Sequence, residues 1–173
     1  RLAIPVLPYK TPAVLNGKDQ IPDLLVQRQI GRVLLVTDEA VEACGLTRPL
    51  ERALAEKHIF VAVYDKTVAN PTTQNVEEAR QVYTENGCQA LIGFGGGSSI
   101  DCAKIVGARV VKPKQSVAKM KGLLKIHKKL PLLIAVPTTA GTGSETTLAA
   151  VITDSDTRYK FPINDFPLIP PYA

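Results

Sequence analysis

Histidine is scarce in this chain: His58 and His127 are the only two among 173 residues. That count excludes a metal centre built from three imidazoles, and no His-x-x-x-His pair or carboxylate cluster takes its place. Tryptophan is absent, and Cys44, Cys88 and Cys102 form no Cys-x-x-Cys pair. An odd, scattered set of cysteines fits neither a disulfide framework nor a cysteine zinc site, so a reducing cytoplasm is the expected location. No apolar run approaches the roughly 20 residues that span a bilayer, and the start lacks a signal-peptide pattern. No membrane role is expected. No serine or cysteine has the neighbouring base that nucleophilic catalysis needs.

What remains is ordinary globular material, enough for one compact domain over residues 1–173. The net charge of +5 is uneven: seven lysines fall between Lys112 and Lys129 with no Asp or Glu among them. The rest of the chain is slightly acidic. Nucleic-acid binding would call for aromatic residues interleaved with the lysines, and this stretch has none, so a solvated surface is expected instead.

Strand-length apolar runs alternate with amphipathic stretches of helix length. Residues 33–37 (VLLVT), 59–64, 90–94 (ALIGF) and 132–136 (LLIAV) read as buried strands, with a short edge strand at 13–15. Helices are expected near 21–28, after residue 38 up to Gly45, after a Thr47 cap with Leu50, Ala53 and Leu54 buried, and after Thr72 or Thr73 up to Gly87. Glu77 and Glu78 are expected early in that fourth helix, where the dipole favours them. A fifth helix is expected over 98–111. The alternation predicts α/β architecture: a doubly wound parallel sheet with helices on both faces. Residues 149–153 and 159–163 flank Asp154-Ser155-Asp156-Thr157 and read as a β-hairpin with an exposed turn. The last residues carry no helix or closing signal.

Two loops carry the chemistry. Gly93-Phe94-Gly95-Gly96-Gly97-Ser98-Ser99-Ile100-Asp101 lies where a strand turns into a helix. Consecutive glycines let backbone approach a ligand closely, and a helix start offers free N–H groups to a phosphate. Asp101 falls in the expected first turn. Pro137-Thr138-Thr139-Ala140-Gly141-Thr142-Gly143-Ser144-Glu145-Thr146-Thr147 follows the next strand at the same sheet edge, with hydroxyls suited to ribose and pyrophosphate oxygens. Glu145 reads as a helix-terminus charge. The usual Gly-x-Gly-x-x-Gly fingerprint is not met, because residue 98 is serine.

These two motifs, in this order, resemble the iron-containing (group III) alcohol dehydrogenases. Val36-Thr37-Asp38, Asn70-Pro71-Thr72 and Ile152-Thr153-Asp154 with Lys160 fit the same pattern. The resemblance runs from about Ala13 onward; residues 1–12 match nothing. It implies a Rossmann-like, dehydroquinate synthase-like nucleotide domain whose helical metal-binding partner domain is absent from the chain. It also implies roles: Gly96 and Gly97 at the pyrophosphate with Ser98 beside them, Gly95 and Asp101 of the same motif among the cofactor-binding residues, and Thr138, Thr139 and Thr142 on the adenosine and ribose side. Thr147 and Val151 would lie near the nicotinamide, and Asn70 and Lys160 would contact the sugars. Asp38 would meet the adenosine ribose, favouring NAD over NADP, unless it only caps a helix. A divalent iron or zinc ion would belong to the full-length enzyme, held by an Asp and three His that this chain cannot supply. The expected partners are a small alcohol or aldehyde and a second copy of the chain. A glycerol dehydrogenase or dehydroquinate synthase-like enzyme, and a stand-alone nucleotide- or phosphate-binding module, remain open; the threonine motif favours the first reading. On this reading the chain alone turns over no alcohol.

Overall fold

The computed structural model describes residues 9–17 and 19–173, and its central strand is β1 (Arg32–Val36). Val33, Leu34, Leu35 and Val36 are all inaccessible to solvent, because alternate side chains enter cores on opposite faces of the sheet. With β2 (Phe60–Tyr64), β3 (Ala90–Gly95) and β5 (Leu132–Pro137) it forms a wholly parallel sheet ordered β2-β1-β3-β5. The chain steps outward from β1 to β2, then reverses past β1 to β3 and β5. Right-handed crossovers running in opposite directions place their helices on opposite faces. Accordingly α1 (Gln20–Gln27) and α3 (Arg48–Glu56) pack on one face through Ile21, Leu25, Leu50 and Leu54. On the other face lie α4 (Thr73–Glu85) and α5 (Gly97–Val111).

A third layer covers α5. β6 (Ala149–Thr153) and β7 (Lys160–Asn164) pair antiparallel, and the two-residue β4 (Gly122–Leu123) joins β7 in a small second sheet. Ala150, Ile152, Phe161 and Ile163 share one core with Ile105 and Val106 of α5. Sandwiched in this way, α5 is apolar around most of its circumference, the pattern of a fully buried helix. The expected doubly wound sheet with its hairpin is therefore present, with strand ends shifted by one residue.

Local chemistry explains most boundaries. Thr72 caps α4 in a reciprocal box with Asn75. Gly45 and Gly87 take positive φ values of 70° and 58° just past α2 (Glu39–Ala43) and α4, as expected of left-handed helix ends. Thr47 differs: its hydroxyl donates to Glu42 Oε2 at 2.6 Å and leaves α3 without a side-chain cap. Glu77 and Glu78 also differ, since α4 starts at Thr73 and both sit beyond its first turn. Glu77 instead accepts from the buried Arg109, and Glu78 accepts the Tyr64 hydroxyl at 2.8 Å.

At the sheet's far edge, residues 13–15 do not form a strand. Ala13 makes a single bridge to Tyr172, and Tyr172 bridges Ile134 of β5 on its other side. The irregular-looking C-terminal segment thus adds to the sheet, with Ala135 N–H donating to Tyr172 O at 3.0 Å. The turn at 154–157 is only partly exposed, because Ser155 Oγ reaches Thr73 Oγ1 at the start of α4. The lysine-rich stretch is a solvated surface with an apolar lining. Val117, Met120, Ile126 and Leu130 are buried beneath it, and Asp165 Oδ2 accepts from the Ile126 N–H at 2.7 Å.

Lys104 is the polar anchor of the third layer. It lies on α5 with 0% exposure, and its ammonium donates to Thr147 O and Ala149 O, both at 2.8 Å. Burial pulls its pKa down to about 8, while Asp101 and Glu145 act the other way. Lys104→Met keeps the stem's volume but strands Thr147 O and leaves Ala149 O only the Thr147 hydroxyl at 3.4 Å, so a loss of about 3 kcal/mol is expected in urea unfolding. Cys102 generates a second prediction. Complete burial pushes its thiol up to about 12, against 9.0 in the free side chain. The unfolded chain therefore loses this proton first, and stability falls as pH rises from about 9 towards 12. Cys102→Ala should flatten that part of the alkaline stability profile measured by urea midpoints.

Candidate dinucleotide site

The strand order reverses between β1 and β3, and open parallel sheets bind ligands in the crevice at such a point, beyond the strands' carboxyl ends. Asp38 follows β1 there, and the glycine loop follows β3. Asp38, Gly96, Gly97, Ser98, Thr138 and Thr139 line a cleft of about 730 Å³ at that point.

The glycines divide into two kinds. Gly95 has φ of 143°, and a Cβ there would come within 2.7 Å of Ser99 Oγ. A Cβ on Gly97 would lie 2.9 Å from Ser144 Oγ, and one on Gly93 would lie 3.1 Å from both the Ile100 Cα and the Ala103 Cβ. Those three are required by the chain's own packing. Gly96 is not: its φ of −72° suits any residue, and an added Cβ meets only the Thr139 side chain, at 3.5 Å and beyond. The open side at Gly96 faces the cleft.

Gly96 is also the N-cap of α5 and offers no side-chain cap. Among the described residues, the N–H groups of Gly97, Ser98 and Ser99 have no acceptor; the first bonded amide is Ile100, which donates to Gly96 O at 3.3 Å. A buried helix of 15 residues therefore presents three unpaired donors and the positive end of its dipole to the cleft. The threonine loop is held opposite by Thr138 N–H, which donates to Gly95 O at 2.9 Å.

Asp38 does two things at once. Its Oδ1 accepts from the Val41 N–H at 3.0 Å, capping α2, and its Oδ2 accepts from Ser99 Oγ at 3.2 Å. The cap and the cleft wall are the same carboxylate. Asn70 N–H donates to Ser98 Oγ at 3.3 Å, and Lys160 Nζ donates to Asn70 Oδ1, so the two connect to the cleft through Ser98 without being among its lining residues. Thr142 packs against Gly97.

The remaining expected residues gather on the hairpin side. Asp101 lies past the first turn of α5, and its Oδ2 accepts from the Val151 N–H at 3.0 Å. It fastens helix to hairpin rather than capping the helix start. Its Oδ1 is buried without a partner, and burial above all raises its pKa. Thr147 Oγ1 accepts from Lys104 Nζ at 3.2 Å. The threonine loop enters turns and then β6, with no helix, so Glu145 is not a helix-terminus charge; its Oε2 is buried without a partner. Lys66, Thr67 and Ser99 were not anticipated. Lys66 and Thr67 lie just past β2, so the same sheet-edge rule marks them in the sequence.

The fold and cleft define a doubly wound α/β domain with a crevice at the carboxyl ends of its parallel strands, and comparison with known proteins places that fold in a family. Residues 12–173 match the family model for iron-containing alcohol dehydrogenase, and the chain belongs to that family. It is 34% identical over 165 residues to the NAD-dependent methanol dehydrogenase of Bacillus methanolicus, covering 94% of this chain and 43% of that protein. It is also 34% identical over 142 residues to the lactaldehyde reductase of Escherichia coli K12, covering 82% of this chain and 37% of that protein. A crystal structure of 1,3-propanediol oxidoreductase superposes with a TM-score of 0.88 at 30% identity, covering 95% of this chain and 44% of that one. Sulfoacetaldehyde reductase from Bifidobacterium kashiwanohense, in complex with NAD+, gives 0.80 at 27% identity, covering 95% and 44%. The chain spans less than half the length of these relatives.

The described residues suit a dinucleotide and do not suit the family's metal. No group of three or more His, Cys, Asp or Glu among them is placed to hold an ion, and both histidines are exposed. The division of the glycines makes a stability prediction. Gly96→Ala should unfold in urea within about 0.5 kcal/mol of the parent, the range of surface substitutions. Gly97→Ala should lose more, about 1–3 kcal/mol, because Ser144 and Thr142 must shift. Equal losses would contradict the division.

Proposed function

We propose that this chain is the dinucleotide-binding part of an NAD-dependent alcohol dehydrogenase that interconverts a small alcohol with its aldehyde or ketone. The observation that carries the reading is the uncapped start of α5 beside Gly96, the one glycine of the loop whose missing side chain the chain's own packing does not explain. The three free amides would hold a pyrophosphate, and Thr138 and Thr139 would face its oxygens and the adjoining ribose. Asp38 would accept a hydrogen bond from the adenosine 2′-hydroxyl, making NAD the preferred cofactor. Thr142, Asn70 and Lys160 would border the cofactor, with Val151 and Thr147 towards its nicotinamide end. NAD would supply the hydride chemistry, and this chain's residues would bind and orient it. In this proposal the metal that the family name implies is held by residues outside this chain.

No helix among the described residues is long and apolar enough to cross a membrane, and all three cysteines are free thiols, which supports a cytoplasmic enzyme. We infer self-association from the outer edge of β2, where Phe60 and Val63 are exposed and the strand has no further partner among the described residues.

Gly96→Val places a branched side chain where the pyrophosphate would approach. Calorimetric titration should show NAD binding to the parent and at least tenfold weaker binding to the variant, with unchanged circular dichroism. Undiminished binding by a folded Gly96→Val chain would refute the assignment of this loop.

A further inference from the structure

Past β2 the chain doubles back beside the end of β1. Thr37 N–H donates to Tyr64 O at 2.8 Å, Thr67 N–H donates to Thr37 O at 3.3 Å, and Asp38 and Lys66 are antiparallel bridge partners. Directly opposed residues of an antiparallel bridge carry their side chains on the same side. Both of these residues line the cleft. A carboxylate and an ammonium are thus neighbours in one wall.

They do not neutralise each other. Neither belongs to any ion pair among the described residues. Both Asp38 oxygens are already engaged, by Val41 N–H and Ser99 Oγ. Lys66 is exposed, and its backbone is held by Asn75 Nδ2, which donates to Lys66 O at 2.9 Å. A lysine ammonium is a compact point charge with three donors on a flexible stem, and phosphate oxygens satisfy it well. The wall therefore combines an anion held by two donors with an exposed cation that has no acceptor among the described residues.

The consequence depends on reading the cleft as a dinucleotide site with the adenosine ribose at Asp38. A phosphate ester on the ribose 2′-oxygen would meet repulsion from Asp38, yet Lys66 starts from the adjoining bridge position. We propose that Lys66 is a specificity-determining residue that receives the 2′-phosphate of NADP. The cleft then accepts both cofactors, with NAD preferred and NADP held through Lys66. Neutralising Asp38 does not merely remove an obstacle; it hands the 2′-phosphate to a cation already in place.

The test is a four-protein titration with NAD and NADP: the parent chain, Lys66→Met, Asp38→Ser and the double variant. Serine at 38 keeps an N-capping hydroxyl for α2 while removing the charge. Lys66→Met should weaken NADP five- to tenfold and change NAD less than twofold. Asp38→Ser should tighten NADP at least fivefold, and most of that gain should vanish in the double variant. If Lys66→Met weakens both cofactors equally, the lysine acts on the pyrophosphate and the proposal fails. If it alters neither, or if Asp38→Ser gains as much NADP affinity without Lys66, the proposal also fails. NAD binding by the parent chain is the control for the underlying reading. Its absence would overturn that reading and this proposal together, whereas NAD binding with an unmoved NADP-to-NAD ratio would overturn this proposal alone.

Discussion

The structure depends on a buried helix whose first turn is left open. α5 is enclosed by the parallel sheet on one side and the hairpin layer on the other, and its interior residues from Ile100 to Ala108 are almost wholly out of solvent. Yet its first amides have no cap. A helix that is dry along its length and unpaired at its start concentrates its dipole at one place, because little water reaches its sides to screen it. The sheet reversal between β1 and β3 determines where that place lies.

The polar groups beneath the site are arranged to keep α5 there. Lys104 and Asp101 are on neighbouring turns of the helix and reach the hairpin's backbone at Thr147, Ala149 and Val151. Arg109, near the other end, donates to Glu77 of α4 and to the carbonyls of Lys112 and Gln115. Lys104 and Arg109 are buried charges with specific acceptors, and Asp101 is a half-buried carboxylate with a specific donor; such groups tolerate little displacement of their partners. Several residues that the family resemblance placed at the cofactor thus also hold the layers together. Asp38 is the clearest case, since one carboxylate both caps α2 and faces the cleft.

Much of this was legible in the amino-acid order. Four β-branched or leucine-rich runs separated by capped helices leave few alternatives to a doubly wound sheet, and Gly45, Gly87 and Thr72 marked helix boundaries through plain backbone chemistry. The glycine and threonine loops were legible because both follow strands at one sheet edge. What was not legible depended on three-dimensional partners. Glu77 looked like a dipole charge because its real partner, Arg109, is 32 positions away. Asp101 looked like a first-turn residue and Glu145 like a helix-end charge because nothing local shows the hairpin folding over α5. Residues 13–15 do lie at the sheet's edge, as the sequence suggests, but their partner is the far end of the chain and the pairing is too short to make a strand. Which glycine is left open toward the cleft cannot be read from three in a row; it emerges only when each missing Cβ is set against its neighbours.

The central claim is that the open first turn of α5 receives the cofactor's pyrophosphate. Titrating the ¹⁵N-labelled chain with NAD and following its amide spectrum tests this most directly. The amides of Gly97, Ser98 and Ser99 should shift downfield together and saturate with one dissociation constant, as N–H groups do when they gain charged acceptors. Saturable shifts confined to other regions, with these three amides unmoved, would contradict the account.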